Sequence, residues 1–376
     1  MAEIQIKKVE SDKGLLAFIQ FPNRLYKDNP YYVPPLINDE KNIWNPHENP
    51  ALAYSEAEQY LALRNGEVVG RIALMVNHKE AEELGIKKLR FGWLDFIEDP
   101  KVAEALMNKA IAVAKAKNLP KLEGPMGFTN LDKAGMLTQG FDKIATMIGI
   151  YNHDYYPKYL EDLGFKKEKE WVEFEINFPE TLPEKVTKFS RLIAEKYKLK
   201  VLKFKSKKDI LPLVDAMFKL LDETYKNLST YTPITDEQIK TYKEKYFGFI
   251  DKDYIICIED EQHDLVAFAI TMPSYSKALQ KANGKLFPFG WWHFLRAGKK
   301  NDRANFYLIG IRPDYQRRGV TAIIFEEIYK VFRKKGVRFL ETNPELEENK
   351  NIQLLWQDYN PINHKRRRTY AKEITL

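Results

Sequence analysis

Ile309-Gly310-Ile311-Arg312-Pro313-Asp314-Tyr315-Gln316-Arg317-Arg318-Gly319-Val320-Thr321 is the stretch on which the reading of this chain turns. Asn305 to Arg312 alternates as a strand, Thr321 to Lys335 has the period of an amphipathic helix, and a basic turn holding Gly319 joins them. The first N–H groups of a helix have no partner within it, and the positive end of the dipole lies there, so this turn is suited to bind phosphate. Gly319 allows close approach of the chain, and Arg317 and Arg318 add charge. Taken alone, the same turn also reads as a charged surface cap on an ordinary helix.

Working outward, Arg338 to Thr342 reads as the next strand. Upstream, Tyr254 to Glu259 and Leu265 to Met272 read as two strands paired across a turn at Asp260 to Asp264, preceded by helical segments from Ile210 to Leu228 and Thr235 to Phe249. The first half repeats this order. A strand from Ile4 to Val9 precedes a helix capped by Ser11-Asp12, and the Pro-rich segment 29–36 forms an extended strap. Tyr60 to Arg64 and Val68 to Met75 join through Asn65-Gly66, a strong hairpin signal. Phe91 to Phe96, a helix from Pro100 to Lys117 and a strand at Lys121 to Pro125 follow. These elements predict an α+β (mixed α/β) fold of two tandem domains. Each is a mixed, mostly antiparallel sheet flanked by helices, at 1–178 and 206–376, with a linker at 179–205 containing a helix from Glu184 to Tyr197.

A chain of 376 residues fits two domains of ordinary size, and 44% hydrophobic with 30% charged residues is globular composition. No stretch is long and apolar enough for a membrane span, and the opening residues resemble neither a secretory signal nor a transit peptide, so a cytoplasmic location is expected. The single cysteine, Cys257, sits in an apolar run and reads as core packing. Six histidines show no metal-ligand spacing, so no metal is predicted. The net charge of +7 favours anionic partners. CoA and phospholipid head groups rank above nucleic acid, for which no binding motif is present, and no nucleic acid is expected.

The turn resembles the pyrophosphate loop of the GCN5-related N-acetyltransferase (GNAT) family, in which Gln or Arg, two residues, Gly, one residue and then Gly or Ala follow one another. Gln316, Gly319 and Thr321 take those places, so the last departs from the pattern. The whole chain resembles bacterial tandem-domain members, on Leu61-Ala62, Val69-Gly70-Arg71-Ile72, Glu123-Gly124-Pro125 and Gly140-Phe141-Asp142. The resemblance implies acetyl-CoA or another acyl-CoA as cofactor. Ile309, Gly310 and Ile311 would lie along the pantetheine arm, with a bulge permitted at Gly310; Gln316, Arg317, Arg318, Gly319, Val320 and Thr321 would hold the diphosphate, and Asn349 would open the next helix beside the cofactor. In the first half Ile97-Glu98-Asp99-Pro100 replaces the loop with carboxylates, which makes that half a degenerate copy.

Acyl transfer to an amine requires a base for the amine and an acid for the departing thiolate. Where the family places its Tyr acid stands Trp356. Tyr359 and Tyr315 are the substitutes by proximity in sequence, and Glu341, then Glu348, are the candidate bases. Leu286 to Arg296, followed by Lys299 and Lys300, mixes aromatic and basic residues. It reads as a bilayer interface, as the wall of an acceptor channel in which Trp291, Trp292, His293 and Arg296 bind substrate, or as inter-domain core. Three functions stay open: an acyl-CoA-dependent N-acyltransferase acting on an unknown small-molecule or lipid amine; a fold that binds CoA or a partner without turnover; and a peripheral membrane enzyme acylating a lipid amine.

Overall fold

The computed structural model describes residues 3–129, 131–182, 184–225, 234–247 and 251–376. Its first half runs β1 (Gln5–Lys8), α1 (Asp12–Leu25), α2 (Ile37–Ile43), β2 (Ser55–Arg64), β3 (Glu67–Asn77), α3 (His78–Leu84), β4 (Leu89–Phe96), α4 (Pro100–Ala116), β5 (Lys121–Gly124), β6 (Met136–Gln139), α5 (Tyr155–Asp162) and β7 (Lys166–Asn177). Helix α6 (Glu184–Lys196) leads into β8 (Lys200–Val201), α7 (Val214–Tyr225), α8 (Asp236–Phe247), β9 (Ile255–Glu259), β10 (Leu265–Pro273), α9 (Ser276–Ala282) and α10 (Gly290–Lys299). The chain closes with β11 (Arg303–Ile311), α11 (Val320–Lys335), β12 (Phe339–Thr342), β13 (Glu345–Leu346), α12 (Lys350–Gln353) and β14 (Ile362–Glu373). The expected helical continuations to Leu228 and Phe249 lie outside the described residues.

Local chemistry sets the boundaries. The Ser11 hydroxyl accepts the Gly14 N–H at 3.2 Å and starts α1. Asn65 and Gly66, at φ 51° and 82°, make the β2–β3 turn. The helix expected to run through Trp356 ends sooner: α12 stops at Gln353 and a short 3-10 turn covers Gln357–Tyr359.

A single mixed sheet carries the strands of both halves, in the order β1-β2-β3-β4-β5-β14-β7-β12-β11-β10-β9-β8. Only β4–β5 and β11–β12 are parallel among the described pairs. Each of these joins through one helix, α4 or α11, as a crossover between parallel neighbours requires. The closing strands are exchanged. β14, from the end of the chain, lies against β5, and β7, from the first half, lies against β12. Packing follows the exchange: Tyr370 of β14 is buried in the core of the first half with Ile72, Phe91 and Leu106, and Ile176 of β7 is buried in the core of the second with Ile258, Ile324 and Phe332. Between them β14 and β7 pair antiparallel with Arg367 opposite Trp171. Arg367 is fully buried at this seam, where it pairs with the equally buried Glu173.

Candidate functional site

Strands β11 and β12 stay together only from Arg303↔Phe339 to Phe306↔Thr342. At the point of parting, Asn343 donates its backbone N–H to the Phe306 carbonyl (3.1 Å) and its amide NH2 to the Tyr307 carbonyl (2.7 Å). Beyond it β11 keeps only its antiparallel neighbour β10. Arg312 gives its N–H to Val266 of that neighbour at 2.8 Å. Alternate residues of a strand turn opposite ways, so Ile309 and Ile311 present their backbone groups to the open side.

A register shift against Ile270 and Thr271 leaves Tyr307 as the extra residue. The bulge expected at Gly310 is therefore at Tyr307. Gly310 serves packing instead, since a Cβ there would stand 2.5 Å from the Phe268 ring.

The basic turn leaves this open edge. The Gln316 side-chain amide donates to the Ile311 carbonyl at 3.1 Å and folds the turn back on the strand. Arg317 and Gly319 are left-handed, at φ 60° and 81°, and Gly319 caps α11. The amides of Gly319, Val320 and Thr321 find no acceptor among the described residues. Arg317 and Arg318 are both exposed, and the Arg318 guanidinium lies over the rings of Tyr197 (5.3 Å) and Tyr315 (5.4 Å). Ile193 of α6 would stand 3.3 Å from a Cβ on Gly319. The segment joining the halves thus buttresses the turn, a support the sequence reading missed. Tyr315, one of the substitute acids, is committed to this stacking.

The equivalent place in the first half is closed. Asp99 caps α4 by accepting the Lys101 N–H at 2.9 Å and pairs with Arg64. Pro100 has no N–H, and Val102 and Ala103 donate to the Asp99 carbonyl. Where β4 leaves β5 there is again a one-residue bulge, with Trp93 at φ 45°. Tyr156 of α5 accepts the Phe96 N–H (2.7 Å), and Tyr155 donates to the Phe96 carbonyl (2.7 Å).

The predicted bases fare differently. Burial pushes the Glu341 carboxyl up, but Lys365, its ion-pair partner, and His364, at 3.3 Å, outweigh that and hold it at about 2. A carboxylate held so by an ion pair is a weak proton acceptor near neutrality. Glu348 is exposed and 3.1 Å from Lys169. Tyr359 packs on Phe325 and Phe178, and burial pushes its hydroxyl up to about 12.

The carboxylate that stands out is Glu345. It is 8% exposed; one oxygen accepts the Trp356 indole N–H at 2.7 Å, and the other has no partner among the described residues. Burial pushes it up to about 8, against the lowering effect of that indole. Trp356 stands edge-on to Phe306, the last β11 residue paired with β12, at 5.0 Å between centroids. Tyr225 at the end of α7 is raised to about 12 by burial and by Glu345. The sequence signal was present, because a Trp in the acid's place needs an acceptor when buried. Nothing local pointed to Glu345 as that acceptor.

Trp291, Trp292 and Arg296 on α10 are exposed, and His293 is half-buried. Arg296 stacks on Trp292 at 5.6 Å. Among the described residues no hydrogen bond, ion pair or ring contact joins these four to the basic turn. Burial holds the Cys257 thiol up at about 12, as a core residue. Among the described residues no group of His, Cys, Asp or Glu is placed to hold a metal ion, and no helix is long and apolar enough to cross a membrane.

A tandem GNAT protein of clavulanic acid biosynthesis superposes over 100% of this chain and 99% of its own, with TM-score 0.59 and 11% identity. The chain has the tandem GNAT fold. A GCN5-related N-acetyltransferase of Sphaerobacter thermophilus shares it at TM-score 0.51 and 10% identity, over 99% of this chain and 96% of its own. In sequence, the GNAT-fold chain is 26% identical over 373 residues to protein YghO of Escherichia coli, covering 96% of this chain and 93% of that protein. It is 22% identical over 383 residues to the bacterial ceramide synthase of Caulobacter vibrioides, covering 99% and 98%. No family model matches the chain.

Proposed function

We propose that this GNAT-fold chain is an acyl-CoA-dependent N-acyltransferase with one donor site, in its second half, and a long-chain amine as acceptor. One observation carries the reading: the unpartnered amides of Gly319, Val320 and Thr321 lie at the end of a strand that pairs with no second strand beyond Phe306. Those amides and Arg317 suit a diphosphate, and the outward backbone groups of Ile309 with the Ile311 N–H suit the amides of a pantetheine arm, the Ile311 carbonyl being held by Gln316. Asn349, whose side chain makes no capping bond, stands at the start of α12 and is available to the donor. When bound, acyl-CoA supplies a thioester carbonyl open to attack.

The remaining work falls to the protein. An ammonium must lose a proton before it attacks, and Glu345 beside the strand junction is the base, with an affinity for protons matched to mildly alkaline pH. As the C–N bond forms and the C–S bond breaks, the same carboxyl returns that proton to the departing sulfur, and the second proton of the nitrogen leaves to solvent. A long-chain amine is favoured because the ceramide synthase relative makes, by its name, an amide of such an amine. Acyl-CoA use places the reaction in the cytosol.

A second reading, donor binding without turnover, is favoured by Trp356, which is buried where the family keeps its proton donor. Calorimetry with CoA and palmitoyl-CoA, together with thiol release in the presence of sphingoid bases, separates the two. Binding with release supports the proposal, binding without release supports the second reading, and no binding refutes both.

A further inference from the structure

Large apolar side chains reach solvent together in one short stretch. Phe287 and Phe289, in the turn before α10, are 79% and 73% exposed, and Trp291, Trp292 and Leu295 are about half exposed. This is not a loose segment. Gly290 and Phe294 hold the inner side of α10, and Phe294 stacks on Tyr275 at 5.5 Å. Positions 291, 292 and 295 therefore form the outer side of an anchored helix, continued by the two phenylalanines of the turn. The core reading of the segment holds for its other side, where Phe294 and Leu286 pack with Tyr26, Leu137 and Tyr275 from both halves, and not for these five exposed side chains.

Charge decides what covers this face. Lys285, Arg296, Lys299 and Lys300 surround it and are exposed, and no Asp or Glu occurs from Lys285 to Asn301. Rings that sit at head-group depth, beside cations that meet anionic phosphate, match a bilayer surface. We propose that α10 and the turn before it dock this protein on an anionic membrane surface. The inner side of α10 belongs to the same apolar cluster as Tyr307, the bulge residue where β11 and β12 part. The docking face and the acceptor end of the proposed site thus share one packed body. Docking itself rests on no feature of the proposed chemistry.

Co-sedimentation of the full chain with vesicles of phosphatidylcholine, alone or with about one-third phosphatidylglycerol, tests this. Binding is expected only with phosphatidylglycerol, falling at least about tenfold between low and high salt, because each cation near such a surface is worth roughly a fivefold change. The variant Phe287→Ser, Phe289→Ser, Leu295→Ser is expected to lose binding by more than about tenfold with its melting temperature unchanged, since these side chains contribute little to the core. Lys299→Glu with Lys300→Glu is expected to weaken binding to the anionic vesicles alone. Failure of the unaltered chain to sediment with either vesicle overturns the proposal, as does equal binding by both variants. A dimer in sedimentation velocity that the triple variant dissolves also overturns it, and assigns the face to a second copy. CoA calorimetry on the same proteins keeps the outcomes apart: vesicle binding without CoA binding leaves docking standing and removes the function proposed above.

Discussion

The two halves place a strand, a turn and a helix in the same order, and one is shut where the other is open. In the first, a carboxylate occupies the start of α4 and two tyrosines satisfy the loose end of β4. In the second, the amides at the start of α11 have no such partners among the described residues, although side chains of Gln316 and Asn343 hold the Ile311 and Tyr307 carbonyls at the two ends of the β11 edge. The fold is common to both, so on the proposed reading the difference in donor binding resides in which polar groups the protein leaves for a ligand. Unpaired buried donors are costly, and a half that binds nothing is expected to satisfy them internally.

The comparison can be broken most severely at Glu345. If the proposed activity holds, Glu345→Gln is expected to lower kcat/KM by about 1000-fold with CoA affinity within about twofold, and the unaltered protein to gain kcat/KM as pH rises through about 8. Its fold linkage has the opposite sign. The folded chain holds a proton that the unfolded chain releases near the ordinary carboxylate value, so stability falls as pH rises from there to about 8, and the Gln variant escapes that loss.

Glu341→Gln makes a contrast within the second half. It leaves Lys365 buried and uncompensated, and a loss of about 3 kcal/mol in urea unfolding is expected. Because the folded carboxyl is held at about 2, the stability contributed by Glu341 is present above the ordinary carboxylate range and lost as pH falls towards 2.

Gly319→Asp sharpens the comparison directly by giving the second half the acidic turn of the first. CoA binding is expected to weaken about 100-fold by calorimetry, whereas Glu98→Ala leaves it unchanged. Gly319→Ala reports the strain of a left-handed side chain against Ile193 without the charge. The smallest effect is expected at Tyr156→Phe. The buried Phe96 N–H loses its acceptor, at about 1 to 2 kcal/mol of stability, and the stoichiometry stays at one CoA per chain.

The basic turn was legible because its physics is local: a strand, a left-handed Gly and an apolar-periodic helix fall within a few residues of one another. The repeated hairpin, with Asn65-Gly66 at its tip, was legible for the same reason. The exchange of β7 and β14 was not, since their partners lie in the other half of the chain and both halves offer similar edges. Glu341 and Glu345 could not be told apart by sequence. One meets Lys365 on an exchanged strand and the other, among the described residues, hydrogen-bonds an indole alone, so neighbours from distant segments send their proton affinities in opposite directions. The bulge was misplaced because a Gly is the usual local sign of one, while here Tyr307 takes it.

Hydrogen–deuterium exchange of the full chain with and without CoA tests the account most directly. Slower exchange over residues 316–323, with no change over 97–103, is the predicted result. Unchanged exchange over 316–323, or protection at 97–103, contradicts the assignment of donor binding to the second half alone.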